Sequence, residues 1–465
     1  MHEYIIDSGR GLQIEVFYTK TIILGGFYML KKVLSLALAA TLLVFMLLAT
    51  GCASWFRPAG EPVEEEPVAE KPAEQPADEP KAEPAIVPEE GASLTIWDSD
   101  DPSGHWFRDA AIEWGEKNGV EIIYEPVGFG ATVDKLKVDG PAGLGADIFS
   151  APHDRVGDLV ATGLILPNDV SNPADFMEAT ITGLTMDGIL WGFPTAIETY
   201  ALFYNKDLLP EPPATWDELI EFAEDFNDIP ANRFAFMMLP ADFYFVHGFF
   251  GGFGGYVFGD GGTNADDIGL NNEGAVEAAR FMQRLQDIMP LNTADITYDI
   301  MVGLFNDGHL ATMINGPWAV GGVREAGVNF GVAPLPILPN EENPKSFSGV
   351  RGLFINSFTE YPNAARLLLE YITSREVLIR VFTQGGMLPA RLDLVEDPAV
   401  VADPITQAFL QQATFAVPMP SIPQMGSVWV PMSTALTQIW NDYVDPKPVL
   451  DAAVEEIKAA IGITR

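Results

Sequence analysis

The chain has 465 residues, too many for one ordinary core and enough for two or three domains. Hydrophobic residues make up 48% of it and charged residues 20%, the balance of a largely globular protein. Its 26 Lys and Arg face 65 Asp and Glu, a formal charge of -39, which argues against a nucleic-acid partner because phosphate binding needs clustered cations.

The lone cysteine, Cys52, excludes an internal disulfide and a Cys-based zinc site. Five histidines (His2, His105, His153, His247 and His309) occur, none in HExxH spacing, so neither a metalloenzyme nor any cofactor is expected.

Residues 1–28 fit no targeting pattern, and 24–28 read as a translated ribosome-binding site ahead of a true start at Met29. From Met29 a basic Met-Leu-Lys-Lys precedes an uncharged run, 33–50, and then Ala49-Thr50-Gly51-Cys52. Length alone allows a secretory signal or an uncleaved membrane anchor. The position of the chain's one cysteine favours the signal. The segment 29–52 resembles a bacterial lipoprotein signal peptide, with Ala49 where a large apolar residue is usual. That resemblance implies lipidation at Cys52, and two acyl chains suffice for stable anchoring. The rest of the chain is then extracytoplasmic, on the outer leaflet of the cell membrane or its periplasmic side. Residues 53–92 turn to Pro, Glu and Ala, a composition too polar to bury a core. As an extended tether this stretch reaches on the order of 100 Å.

Folded structure is expected over 93–465. Ser93-Leu94-Thr95-Ile96-Trp97 reads as a strand, followed by a helix carrying Phe107, Ala110, Ala111 and Trp114 at helical spacing. Strands at 120–127 and 146–150 alternate with helices at 132–138 and 154–162, which implies βαβ units and a mainly parallel sheet. Ligands in such sheets lie beyond the strands' carboxyl ends, so Asp98–Asp101 and Ala151–Arg155 are candidate site segments. Thr215-Trp216-Asp217-Glu218 has capping-box spacing and opens a helix to about 226. Further helices are expected at 272–287, 300–306, 362–373, 374–384 and 429–461, with strands at 329–334 and 352–356.

No GxGxxG, P-loop or GxSxG occurs, and the glycines at 251–255 read as turns. A glycosidase needs two converging carboxylates, but among 65 acids some pair always looks plausible. The aromatics are more informative. Trp97, Trp106, Trp191, Trp318 and Trp429 fall at expected strand ends or in loops. Rings stack on the C–H faces of a sugar while Asp, Glu and Arg take its hydroxyls; core filling is the competing reading for any one Trp.

Ala146-Asp147-Ile148 with His153-Asp154-Arg155, Tyr204-Asn205-Lys206-Asp207-Leu208-Leu209-Pro210, Ile314-Asn315-Gly316-Pro317-Trp318 and Ile422-Pro423-Gln424-Met425 come in a single register across 93–465. This series resembles the bacterial maltose-binding proteins, the solute-binding components of ABC sugar importers. The resemblance implies an α/β, type II periplasmic-binding-protein fold of two lobes with mainly parallel sheets, flanking helices and a ligand cleft between them. Lobe one would hold about 93–196 and 353–392, lobe two about 201–347 and 399–465, with crossings near 196–201, 347–353 and 392–397. It implies polar ligand contacts at Asp101, Asp154, Arg155 and Glu198, stacking rings at Tyr244, Trp318 and Trp429, a packing Met419, and a further contact at Tyr298. Pro102, Ala151, Asp242-Phe243 and Ser433 depart from the family pattern, which weakens the case for maltose itself and leaves other α-glucans, cyclodextrins and galactan oligosaccharides open. The implied partners are an oligosaccharide and an ABC permease, with the receptor monomeric and non-enzymatic. A secreted glycan-active enzyme and a surface adhesin are the competing classes.

Overall fold

The structure, a computed structural model, describes residues 86–169 and 171–463. The expected start at Met29, lipidated Cys52 and most of the tether lie outside the described residues. No helix among the described residues is long and apolar enough to cross a membrane.

Folded structure begins a few residues before Ser93. The Glu89 carboxylate accepts hydrogen bonds from the Asn363 and Ala364 amides, 2.8 and 3.0 Å, at the start of the helix Pro362–Ile372. A negative charge there satisfies two amides that the helix itself leaves unpaired and suits its dipole.

The first sheet has the strand order Leu388–Pro389, Phe193–Glu198, Phe347–Ile355, Ile148–Pro152, Ser93–Asp98 and Glu121–Pro126, with Val417–Pro418 joining Phe347–Ile355 at its start. Its inner strands are buried on both faces, whereas the edge strand Glu121–Pro126 has no buried residue, and the two-residue period sorts the inner ones. Leu94, Ile96, Ile148, Leu353 and Ile355 enter one core with Trp106, Phe107 and Leu368. Trp97, Phe149 and Phe354 enter another with Leu136 and Leu159. The second sheet runs Phe330–Ala333, Ala201–Asn205, Leu310–Asn315 and Phe234–Met237, under one large core that includes Phe203, Trp216, Phe236 and Trp440.

These are two α/β lobes, as expected, but their sheets are mixed. Ser93–Asp98 runs parallel to both its neighbours, whereas Phe347–Ile355 is antiparallel to Ile148–Pro152 and to Phe193–Glu198. The reason is the crossing. Strands of the βαβ units run toward the second lobe, and Phe347–Ile355 arrives from it, entering the sheet in reverse. The chain passes between the sheets at Thr199–Tyr200, over 334–346 and after Pro389. Two crossings are fastened together: Thr199 Oγ1 donates to Phe347 O and lies 2.9 Å from Ser346 Oγ, which also accepts from Gln412 Nε2.

Local expectations fare well where a cap or period is strong. Thr215 and Glu218 form the expected capping box of Trp216–Phe226. The glycines at 251–255 are only partly turn: Gly251 and Gly252 finish the helix Phe243–Gly252, and Gly254 turns the chain at φ 95°. The last helical stretch divides into Trp429–Asp442 and Pro446–Ala460, because Tyr443 takes a left-handed φ of 51° and Pro446 cannot continue the first helix.

Candidate functional site

A cleft of about 1020 Å³ separates the two sheets, and all nine residues implied by the resemblance line it. Its first wall comes from the carboxyl ends of parallel strands. Ser93–Asp98 delivers Asp101, whose Oδ1 caps the helix Pro102–Asn118 by accepting from Ser103 N at 2.8 Å. Ile148–Pro152 delivers Asp154 and Arg155 in a single 3₁₀ turn. Glu198 ends the strand Phe193–Glu198 beside the first crossing.

These groups are held by charge. Arg155 Nη2 pairs with Asp134 at 2.6 Å and lies 3.8 Å from Asp158, which also pairs with Lys137. Arg351, which sequence reasoning passed over, is 2% exposed and pairs with the buried Asp98. Its guanidinium also lies 3.9 Å from Glu198 Oε1 and 4.1 Å from the centre of the Phe129 ring. The signal was available: Arg351 is the one charge in the strand FSGVRGLFI, and a buried charge needs a partner. Thus each of the three cations lining the cleft already has a carboxylate partner.

Burial pushes the Asp154 carboxyl up to about 6, against the pull of Arg155 and the Trp429 N–H. Burial likewise pushes Glu198 up to about 7, opposed by Arg351 and reinforced by Asp154 and Asp98. His153 is neutral, its pKa lowered by burial to about 4. Its Nδ1 accepts from Val350 N at 3.1 Å, so Nε2 carries the proton and donates to Met419 O at 3.0 Å.

The second wall is aromatic, and its rings sit at helix beginnings. Tyr244 lies in the first turn of Phe243–Gly252, capped by Asp242; Tyr298 and Trp429 open Tyr298–Asn306 and Trp429–Asp442; Trp318 precedes Ala319–Glu325. Trp318 and Trp429 are therefore at helix starts, not in open loops. The Trp318 ring lies so closely on Gly316 that no Cβ would fit there. Tyr244 is 6.1 Å from Trp318 and 6.1 Å from Phe347, which is 6.3 Å from Trp429, all between ring centres.

The walls also meet. Trp429 Nε1 donates to Asp154 Oδ2 at 3.2 Å. Gly157 packs on the backbone of Ser421 and Pro423, and Gly321 on Pro102, with no space for a side chain at either glycine. Three buried polar atoms on the cleft walls, Asp154 Oδ1, Arg155 Nε and Tyr244 Oη, have no hydrogen-bond partner among the described residues. A ligand with several hydroxyls satisfies such atoms, and the rings supply flat apolar faces.

Other tryptophans belong to the cores. Trp97 is fully buried with its Nε1 on Glu125, Trp106 lies within the helix Pro102–Asn118, and Trp191 bonds Met186 O. Of the departures from the family pattern, Pro102 meets the opposite lobe and Ala151 is core. Asp242 and Ser433 line an annex of about 380 Å³ that shares Tyr298 and Trp429 with the cleft. Among the described residues no group of three His, Cys, Asp or Glu is placed to hold a metal.

Two α/β lobes joined by several crossings around a ring-and-carboxylate cleft define a two-lobed solute receptor. Residues 110–408 match the model of the bacterial extracellular solute-binding proteins, and the chain belongs to that family. It is 31% identical over 382 residues to the galactooligosaccharide-binding protein of Bacillus subtilis, covering 80% of this chain and 90% of that one. The maltodextrin-binding protein of the same organism is 35% identical over 304 residues, 64% of this chain and 73% of its own. The structure of the Thermus thermophilus maltotriose binding protein bound with maltotriose is similar at a TM-score of 0.75 and 30% identity, over 79% of this chain and all of that one.

Proposed function

We propose that this protein captures a neutral oligosaccharide of the maltodextrin type between its lobes and delivers it to an ABC permease. The observation that carries the reading is the meeting of stacking rings from one lobe with unpartnered polar groups in a single cleft. Tyr244, Trp318 and Trp429 take ring faces, and Asp101, Asp154, Arg155 and Glu198 take hydroxyls. Tyr298 and Met419 complete the contact. No cation on the cleft walls is without a carboxylate, so nothing there favours an anionic sugar over a neutral one. Both walls contact ligand together only when the lobes are closed, so the sugar shifts the population toward closure and the closed form is what a permease recognises.

A galacto-oligosaccharide is the second reading. It is favoured by the Bacillus relative and by Asp242 and Ser433, which alter the annex beside Trp429. In either case Cys52 carries the lipid that holds the receptor at the membrane, and the acidic stretch after it spaces the receptor from the surface. The protein acts as a monomer and leaves its sugar chemically intact.

Calorimetric titration with maltose, maltotriose, a cyclodextrin and a galactan oligosaccharide, followed by recovery of the sugar, tests this. Tight binding with intact sugar is expected. Absence of heat with all four would remove the proposed ligand class, and cleaved sugar would make the protein an enzyme.

A further inference from the structure

Behind the cleft lies a second cavity, of about 490 Å³, that the proposed function does not use. The two share a wall. In the segment after the strand Val417–Pro418, Met419 lines the cleft while Pro418 and Pro420 line the cavity. Its floor is glycine backbone: Asp260, Gly261 and Gly262 take φ of 50°, 69° and 96°, so three successive left-handed residues leave a surface with almost no side chains. Over it stands Tyr256. One face of its ring covers the cross-strand Gly269 where a Cβ would be, yet the residue stays 38% exposed. The Tyr256 hydroxyl donates to Asp267 at 2.8 Å, which fixes the ring. The Lys345 ammonium, also on the cavity wall, has no ion-pair or hydrogen-bond partner among the described residues.

We propose that this cavity is a second carbohydrate-binding site. Two elements match those of the cleft, a ring laid on a glycine (Trp318 on Gly316 there, Tyr256 on Gly269 here) and flanking carboxylates, at Asp260 and Asp267. The Lys345 ammonium differs from the three paired cations of the cleft in having no carboxylate partner among the described residues. A pyranose stacks on the free side of Tyr256 while the carboxylates and Lys345 take its hydroxyls. The cavity is more modest than the cleft, and of its lining rings only Tyr256 is exposed, since Phe258, Phe347 and His247 are buried, so it binds more weakly and suits a repeating chain that offers many copies of one face. The inference rests on the proposed sugar chemistry of the cleft only for the choice of probes.

Native gel electrophoresis of the full chain in soluble starch, and separately in galactan, tests it against the cleft variant Trp429→Ala. Retardation by one of these polymers is expected to survive in Trp429→Ala. Added in that background, Tyr256→Ala should weaken polymer affinity about tenfold, and Tyr256→Phe should retain it. Tyr256→Ala alone should leave maltotriose calorimetry unchanged. If Tyr256→Ala fails to fold, Lys345→Ala should show a smaller loss in the same gels. Retardation that vanishes in Trp429→Ala, that persists unchanged when Tyr256→Ala (or, if that variant does not fold, Lys345→Ala) is added to Trp429→Ala, or that occurs with neither polymer overturns the second site. Tyr256-dependent retardation without maltotriose heat would instead leave the cavity standing and count against the cleft reading.

Discussion

The two walls of the cleft use different physics. The first is a charge lattice: Asp98 with Arg351, Arg155 with Asp134 and Asp158, and Lys137 with Asp158. Asp98 ends a strand and Arg351 lies within the returning strand Phe347–Ile355, while Asp134, Lys137 and Asp158 are carried by helices that follow strands. The second is a set of rings at the starts of four helices, packed against the large core of its lobe. The difference lies in what each wall needs from its surroundings. Buried charges must be paired locally, so the first wall is rigid and its spare hydrogen-bonding capacity is narrow and directional. Rings need only a packed edge, so the second wall offers broad faces with little polar demand. A sugar, flat and apolar above and hydroxylated around its rim, is the ligand that uses both.

The sharpest way to break the first wall is at its centre. Arg351→Met strands the buried Asp98 charge and should destabilise the protein by about 3–5 kcal/mol, read by denaturant unfolding. A variant as stable as the parent would mean that Asp98 is not held as an ion.

Acidification sharpens the same wall. Glu198 has its pKa raised to about 7, above its ordinary 4.5, by burial. The folded state therefore binds more protons than the unfolded state between those values, and stability falls as pH rises from about 4.5 to 7. The full effect is at most about 3 kcal/mol, since one pKa unit is 1.36 kcal/mol. Glu198→Gln should reduce that slope in melts taken across the range, leaving the part below about pH 6 that the raised Asp154 contributes; an unaltered slope would assign it to Asp154 and the overall acidity of the chain.

Trp429→Ala probes the second wall and the bridge to Asp154 together. A loss of about 2–3 kcal/mol, roughly a hundredfold in sugar affinity, is expected with the fold retained. Matched double variants with Asp154→Asn should show coupling, because the two residues share a hydrogen bond.

The smallest effect concerns the contact between the walls. Gly157→Ala places a methyl against Ser421 and Pro423, opposing closure without touching the ligand groups. About tenfold weaker binding, with small-angle scattering showing a more open average shape, is expected. Unchanged affinity would mean that this contact does not limit closure.

Much of this was legible in the chain. Strand ends at Asp98 and Pro152 mark the polar wall by topology, and the capping box at Thr215 marks a helix by spacing alone. Core tryptophans were harder, because Trp97 and Trp106 have the same local signature as a ligand ring, and only packing separates them. Arg351 escaped notice because its meaning lies in partners far along the chain.

What the sequence determined by itself is local: which residues alternate, which cap, where polar segments follow apolar strands, and which rings are available. Tertiary structure decided the rest. Asp154 and Trp429 are 275 residues apart and Asp98 and Arg351 are 253 apart, yet each pair shares a hydrogen bond. The first contact depends on how the crossings aim one lobe at the other and the second on where the returning strand enters the sheet, and no local propensity encodes either. The reversal of Phe347–Ile355 has the same origin, since a strand's direction in a sheet is set by the side from which the chain returns.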